Sequence, residues 1–201
     1  IKQKMDASKR IDNQIFEILY SLTGQYSTLD ALFKALASDY FVPVGIGITL
    51  FFLWFCSPSI TNRISSQKIV LTSILHMALS SFFVLVINQF VFVDRPFVNY
   101  EISPLFYLPT DSSFPSNPAA GIFSIVIQFT KTKSAKLITL VVMLFLAMAI
   151  CRICVGVHYP SDILGGCSLA IICTPIIAFM ARNTEPVQNL FLRKLRIYNL
   201  A

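Results

Sequence analysis

Charge is scarce in this 201-residue chain: Asp, Glu, Lys and Arg make up 13% of it, against 55% for hydrophobic residues. So little charge cannot cover a water-soluble globule, and a mean hydropathy of +0.69 points to a polytopic membrane protein. Acidic residues are the rarer sign, ten against sixteen basic ones, for a net charge of +6. No group of carboxylates has metal-ligand spacing, so neither a metal nor another cofactor is expected. The basic excess carries no nucleic-acid-binding signature and suits cytoplasmic loops resting on an anionic lipid bilayer. Histidine occurs twice, as His76 and His158. The five cysteines all lie in or beside apolar runs. Cys151 and Cys154 form a C-x-x-C without a second ligand pair, so packing is the simplest reading. No cleavable leader, internal repeat or low-complexity linker is seen, and 1–201 reads as a single domain.

Four apolar runs, 40–56, 69–93, 137–157 and 163–180, each approach the roughly 20 residues that a helical span needs. A fifth, 118–130, is shorter and crosses only if its helix continues to Lys136. Arg63, Lys68, Lys131, Lys133, Lys136, Arg182, Arg193, Lys194 and Arg196 fall on one side of this topology, and Arg95 alone on the other. By the positive-inside rule the first side is cytoplasmic. The segments 94–117 and 158–162 then face outward. Residues 1–39 show helical periodicity in Ile11, Ile15, Ile18 and Leu22, then in Leu29, Leu32, Phe33 and Leu36. Ser27 with Asp30 is a plausible cap. This segment reads as an amphipathic interfacial pair or as a sixth span, and 182–201 as a cytoplasmic tail. The expected fold is an all-α polytopic membrane helix bundle of about five spans, with 40–181 as its functional core.

Ionisable residues at the outer span ends are functional candidates. They gather in "VDRPFV" (Asp94, Arg95), in "DSSFPSNPAAG" (Asp111, Ser112, Ser113, Ser116, Asn117) and in "CRICVGVHYPSD" (Arg152, His158, Ser161, Asp162). Two arginines, a histidine with a carboxylate four residues on, and a hydroxyl-rich helix start suit an anionic phosphoryl group. Each also has a plainer reading. The arginines can be interface anchors, His158 with Asp162 a structural bond, and Asp111 a turn residue. Asn117 can be an N-cap, with Pro118 as the first helical residue. A helix start is nonetheless also an anion site. His76 reads as a buried, hydrogen-bonded histidine. It lies 19 residues before Arg95 on the same expected helix, about 28 Å away along its axis.

These three clusters resemble the motifs of the type 2 phosphatidic acid phosphatase superfamily, which includes vanadium haloperoxidases. The family pattern is K-x6-R-P, P-S-G-H and S-R-x5-H-x3-D. "NQFVFVDRP" matches at Arg95 and Pro96, with Asn88 in the lysine place. "PSNP" matches at Pro115 and Ser116, and "CRICVGVHYPSD" at Arg152, His158 and Asp162, with Cys151 in the serine place. The resemblance covers about 40–181. It implies a helical bundle acting on a membrane lipid phosphate, with His158 as nucleophile and Asp162 orienting it. Arg95, Arg152, Ser116 and Asn117 with nearby amides would hold the phosphoryl oxygens. No metal is implied.

Two positions depart from the family. Asn88 is neutral where the family has a cation, and Pro118 replaces the histidine that is the family's usual acid. A lipid monophosphate must expel an alkoxide and needs such an acid, whereas a lipid diphosphate expels a phosphate monoester whose second pKa is about 6. The best fit is therefore a polyprenyl diphosphate such as undecaprenyl diphosphate, cleaved at the outer face of a bacterial inner membrane. Asp111, if buried, is a possible replacement acid. A lipid-phosphate-binding or transport protein on the same fold, and a lipid phosphotransferase, stay open as alternatives.

Overall fold

The computed structural model describes residues 2–56, 60–100, 102, 105 and 108–197. They form α1 (Lys2–Tyr20), α2 (Ser27–Ala37), α3 (Phe41–Phe55), α4 (Ile60–Asn88), α5 (Pro96–Asn99), α6 (Asn117–Phe129), α7 (Ala135–Cys154), α8 (Pro160–Asn183) and α9 (Glu185–Ile197). The described residues contain no strand, and the fold is the expected all-α bundle.

α4, α7 and α8 are long and apolar enough to cross a membrane. α2 and α3 meet at a 53° bend and count as a fourth span if taken together. α6, the shortest apolar run of the expected five, does not run on to Lys136. It stops at Phe129, and a turn through 130–134 leads into α7, where the Ser134 hydroxyl accepts from Leu137 N. Thirteen residues extend only about 20 Å. α6 survives this shortness because it is the centre of the bundle, packed against α4, α7 and α8. Nine of its thirteen residues are buried, so protein rather than lipid surrounds its ends.

The second span also shifts. α4 ends at Asn88, five residues before the apolar run does, because Val93 is used elsewhere. Its N–H donates to Ser112 Oγ at 3.1 Å and its carbonyl accepts from Ser113 N at 2.9 Å. Arg95 is therefore not on α4 but at the N-cap position of α5. His76 is remote from Arg95 all the same. Its Nδ1 accepts from Gln128 Nε2 at 2.9 Å, so Nε2 carries the proton and donates to Ala170 O at 2.9 Å. Those partners lie roughly 12–16 Å along α8 and α6 from Asp162 and Asn117. His76 is the buried, satisfied histidine that the sequence suggests.

The N-terminal segment does not simply lie on the surface. Phe16 is fully buried, and its ring stacks on Tyr20 and packs against Tyr100 and Tyr159. The expected Ser27–Asp30 cap does not form: Tyr26 holds the N-cap position of α2, and Asp30 Oδ1 instead accepts from Gly24 N at 3.0 Å. At the other terminus α9 is anchored to the start of α4 by a Lys68–Glu185 ion pair of 2.7 Å, and its Leu192 is buried.

The two ends of the bundle differ. Lys131, Lys133 and Lys136 line one cavity with Asn62 and Ser65, so the basic turns share an end. The segments with Arg95, Ser116 and His158 share another cavity at the opposite end. There α6 and α8 approach unusually closely, across two glycines of α8. A Cβ on Gly166 would sit 2.6 Å from Ser116 O and 2.9 Å from Ala120 N, and one on Gly165 would sit 2.3 Å from the Phe114 ring. The ring can turn away, but the backbone at Ser116 cannot. Gly166→Ala is therefore expected to destabilise the bundle by about 1–3 kcal/mol through overpacking. Thermal unfolding in detergent checks this, and a variant as stable as its parent contradicts the packing described.

Candidate active site

The site is built outward from Asp162. Pro160 opens α8, where its missing N–H costs nothing, and Asp162 falls in the first turn. Its Oδ2 accepts from Tyr159 N at 2.7 Å, closing a capping arrangement, and also from Ser113 Oγ in a short bond. The same oxygen lies 3.4 Å from His158 Nδ1. Its backbone carbonyl accepts from Ser116 N at 3.0 Å. One residue thus ties the third motif to the second.

His158 sits in the turn between α7 and α8. That turn reverses at Gly156, whose φ of 82° is a conformation that favours glycine. The imidazole is 1% exposed. Nδ1 faces two acceptors, Ser113 O at 3.1 Å and the Asp162 carboxylate, which places the proton on that nitrogen. Nε2 is left with its lone pair, 3.3 Å from Ser116 Oγ and 3.5 Å from Arg95 Nη1. Burial holds the His158 pKa below its ordinary 6.5, and the charges of Arg95 and Arg152 push it the same way, while the Asp162 hydrogen bond and charge oppose.

Arg95 is buried and fully engaged. Nε donates to Asp111 O at 3.1 Å, Nη1 to Val157 O at 2.8 Å, and Nη2 to Asp111 Oδ1 at 2.8 Å and Ser112 O at 3.4 Å. Arg152, in the last turn of α7, is equally buried and donates to Asp39 Oδ1. These groups line a polar cavity of about 260 Å³ with Asn117 and Pro118. An apolar cavity of about 340 Å³ adjoins it, walled by Ile46 and Leu50 of α3, Met77 of α4, Ile122 and Ile125 of α6 and Met148 of α7. The two share Asp39, Asn117, Pro118 and Arg152.

The three sequence clusters therefore converge, with local differences. Ser116, not Asn117, holds the N-cap position of α6, and neither side chain caps the helix. Asn117 is exposed at the cavity and Pro118 is in the first turn. By helix geometry the amides of Asn117 and Ala119 have no intrahelical acceptor, and Pro118 contributes none. Asp111 is not buried as expected: its side chain is 63% exposed and paired with Arg95. Asn88 does not line the cavity, and Ser161 turns away to bond Asp12 of α1 at 2.8 and 2.6 Å. Asp39 is the residue that the sequence reading missed. An acidic residue between two apolar helices, "LASDYFVP", was the available signal.

The PAP2 superfamily model matches residues 69–185. The chain belongs to the PAP2 superfamily. Undecaprenyl-diphosphatase BcrC of Bacillus subtilis is 29% identical over 163 residues, 79% of this chain and 78% of that protein. The putative undecaprenyl-diphosphatase YbjG of Escherichia coli is 23% identical over 158 residues, 79% of this chain and 76% of that one. The fold is similar to the crystal structure of Aquifex aeolicus LpxE, with a TM-score of 0.63 and 23% identity over 82% of this chain and 93% of that one. It is also similar to that of a transmembrane PAP2-type phosphatidylglycerolphosphate phosphatase from Bacillus subtilis. There the TM-score is 0.59 at 18% identity, covering 90% of this chain and 87% of that one. This PAP2 member keeps Arg95, Arg152, His158 and Asp162 inside the matched region, whereas Asp39 lies before it.

The electrostatics of His158 are directly measurable. Its imidazole is expected to titrate below pH 6.5, and lower still in Asp162→Asn, which removes the groups that raise its pKa. Nitrogen-15 NMR of histidine-labelled protein in detergent reads both midpoints. A midpoint at or above 6.5, or one that Asp162→Asn moves upward, contradicts this account.

Proposed function

We propose that this PAP2 member is a membrane lipid phosphatase that works through a phosphohistidine on His158. The observation that carries the reading is the state of that ring. Nδ1 is committed to Ser113 O and Asp162, and the unprotonated Nε2, within 3.3 Å of Ser116 Oγ and 3.5 Å of Arg95 Nη1, faces a cavity with two guanidinium groups. A neutral imidazole so oriented is a nucleophile at neutral pH. As Nε2 bonds to phosphorus the ring becomes cationic, and the buried Asp162 carboxylate stabilises that charge. Arg95, Arg152, the Ser116 hydroxyl and the Asn117 amide supply donors for the equatorial oxygens, where charge must be held in phosphoryl transfer. Water then attacks the phosphohistidine and regenerates the free ring.

The adjoining apolar cavity suits a lipid tail, since it opens on the polar one through shared walls. Pro118, in the family's acid position, brings no proton, and a polyprenyl diphosphate such as undecaprenyl diphosphate, which expels a phosphate monoester, makes the least demand on any other acid. The names of the two curated relatives support the same substrate class. The basic turns at the far end of the bundle support an extracytoplasmic site in a bacterial plasma membrane.

Purified protein is expected to release phosphate faster from a polyprenyl diphosphate than from phosphatidic acid, with His158→Ala reduced to background. A base-stable, acid-labile phosphoryl label on the wild type, absent in His158→Ala, marks the intermediate. Faster release from phosphatidic acid overturns the substrate assignment. Tight binding without release makes the chain a lipid-phosphate binder, and label appearing on a second lipid makes it a transferase. For sidedness, intact cells carrying the protein are expected to hydrolyse a short-chain prenyl diphosphate added outside. Hydrolysis seen only after the membrane is opened puts the site on the cytoplasmic face.

A further inference from the structure

The geometry points to Asp39 as the proton donor to the leaving group, in the place of the acid that Pro118 removes. The inference rests on the phosphohistidine reading above and adds a catalytic residue to it.

The argument begins with where the scissile bond must lie. Phosphorus has to be within reach of His158 Nε2 and Arg95, which places it in the polar cavity. A lipid tail belongs in the apolar cavity walled by α3, α4, α6 and α7. The bond between phosphorus and the lipid-side oxygen must therefore cross the wall common to both cavities. Four residues form that wall: Asp39, Asn117, Pro118 and Arg152. Pro118 has no proton to give, Asn117 is a neutral amide, and Arg152 does not deprotonate in proteins. Asp39 is the one carboxyl among them. Asp111, the other carboxylate of the polar cavity, does not reach the apolar one, so it faces the phosphoryl oxygens rather than the leaving oxygen.

The surroundings of Asp39 fit a group that cycles its proton. Its side chain is 41% exposed, so it exchanges with solvent. Its carboxylate accepts from Arg152. A bound phosphoryl group would compete with that carboxylate for the guanidinium and so release it towards the bridging oxygen. Arg95, Asp111, Arg152 and His158 are the other charged or titratable groups around the cavity. The step balances. His158 Nε2 forms its bond to phosphorus, the bond from phosphorus to the bridging oxygen breaks, and its electron pair stays on that oxygen, which takes the Asp39 proton. In the second half Asp39 accepts a proton from the attacking water as the P–N bond breaks. The net change is one phosphate ester or anhydride bond and one water consumed.

An acid matters in proportion to how poor the leaving group is. The test therefore uses the monophosphate and the diphosphate of one prenyl alcohol, with the same tail on both. Asp39→Asn keeps an oxygen for Arg152 but loses the proton. It is expected to lower kcat/KM on the monophosphate by about 10²–10⁴-fold and on the diphosphate by less than about tenfold. Equal losses on both substrates assign Asp39 to holding Arg152 and overturn the proposal, as does a wild type that cleaves the diphosphate but not the monophosphate. His158→Ala serves as the separate control. Activity surviving there overturns the phosphohistidine reading itself, whatever Asp39→Asn does.

Discussion

The site depends on one buried charge. Asp162 is 1% exposed, at a depth where an unpaired carboxylate is strongly unfavourable. The chain answers with three donors on Oδ2: a backbone amide of its own helix start, a serine hydroxyl from a distant loop, and the His158 ring. Each donor fixes a different part of the fold. The Tyr159 amide sets the first turn of α8. Ser113 draws in the 111–116 loop, whose Ser116 N–H also donates to the Asp162 carbonyl. The ring proton sets which nitrogen of His158 faces the cavity. Remove the charge, and the register among these three segments loses its common reference.

That convergence requires two helices to come closer than side chains normally allow. α6 carries Ser116 at its start and α8 carries Asp162 at its start, so both ends must meet side by side. Gly166 makes room for the Ser116 carbonyl. The bulk omitted there is compensated along the rest of α6, where Ile122, Ile125, Val126 and Phe129 pack into the main core. The short central helix is thus a consequence of the site. Its N-terminus has to end beneath His158, and its C-terminus has to turn at Thr130 to feed α7. Span length is given up, and shielding by α4, α7 and α8 makes that tolerable.

Much of this was legible in the sequence where the information is local. The spacing from Arg152 through His158 to Asp162 survives translation into structure because one helix end, one tight turn and one helix start carry it. The limits of α7 and α8 were legible from their apolar runs for the same reason. What was not legible depends on contacts between segments far apart in the chain. Val93 leaves α4 because Ser112 and Ser113 pair with it, and no property of 69–93 alone says so. Phe16 sits in the core because Tyr100 and Tyr159 meet it there, although the periodicity of 1–39 suggested an interfacial pair. Asp39 carried only the weak signal of an acid between apolar segments, because its partner, Arg152, lies 113 positions later.

The two arginines show what a buried cation demands. A guanidinium buried to a few per cent exposure needs acceptors on every face, since its charge has lost most of its water. Here carboxylates from outside the three motifs help supply them, Asp111 for Arg95 and Asp39 for Arg152. On the proposed function, an arriving phosphate would not meet bare cations but would exchange places with carboxylates, oxygen for oxygen. The net gain from each arginine is the difference between two anionic partners, and it is smaller than the bare charge suggests. What distinguishes phosphate from a carboxylate in that exchange is its number of oxygens. On the proposed function it would engage Arg95, Arg152 and the Ser116 hydroxyl at once, whereas Asp111 pairs with Arg95 and Asp39 with Arg152. Selectivity for phosphate would then come from the spacing between the donors, which the Asp162 network holds, rather than from the strength of any one of them.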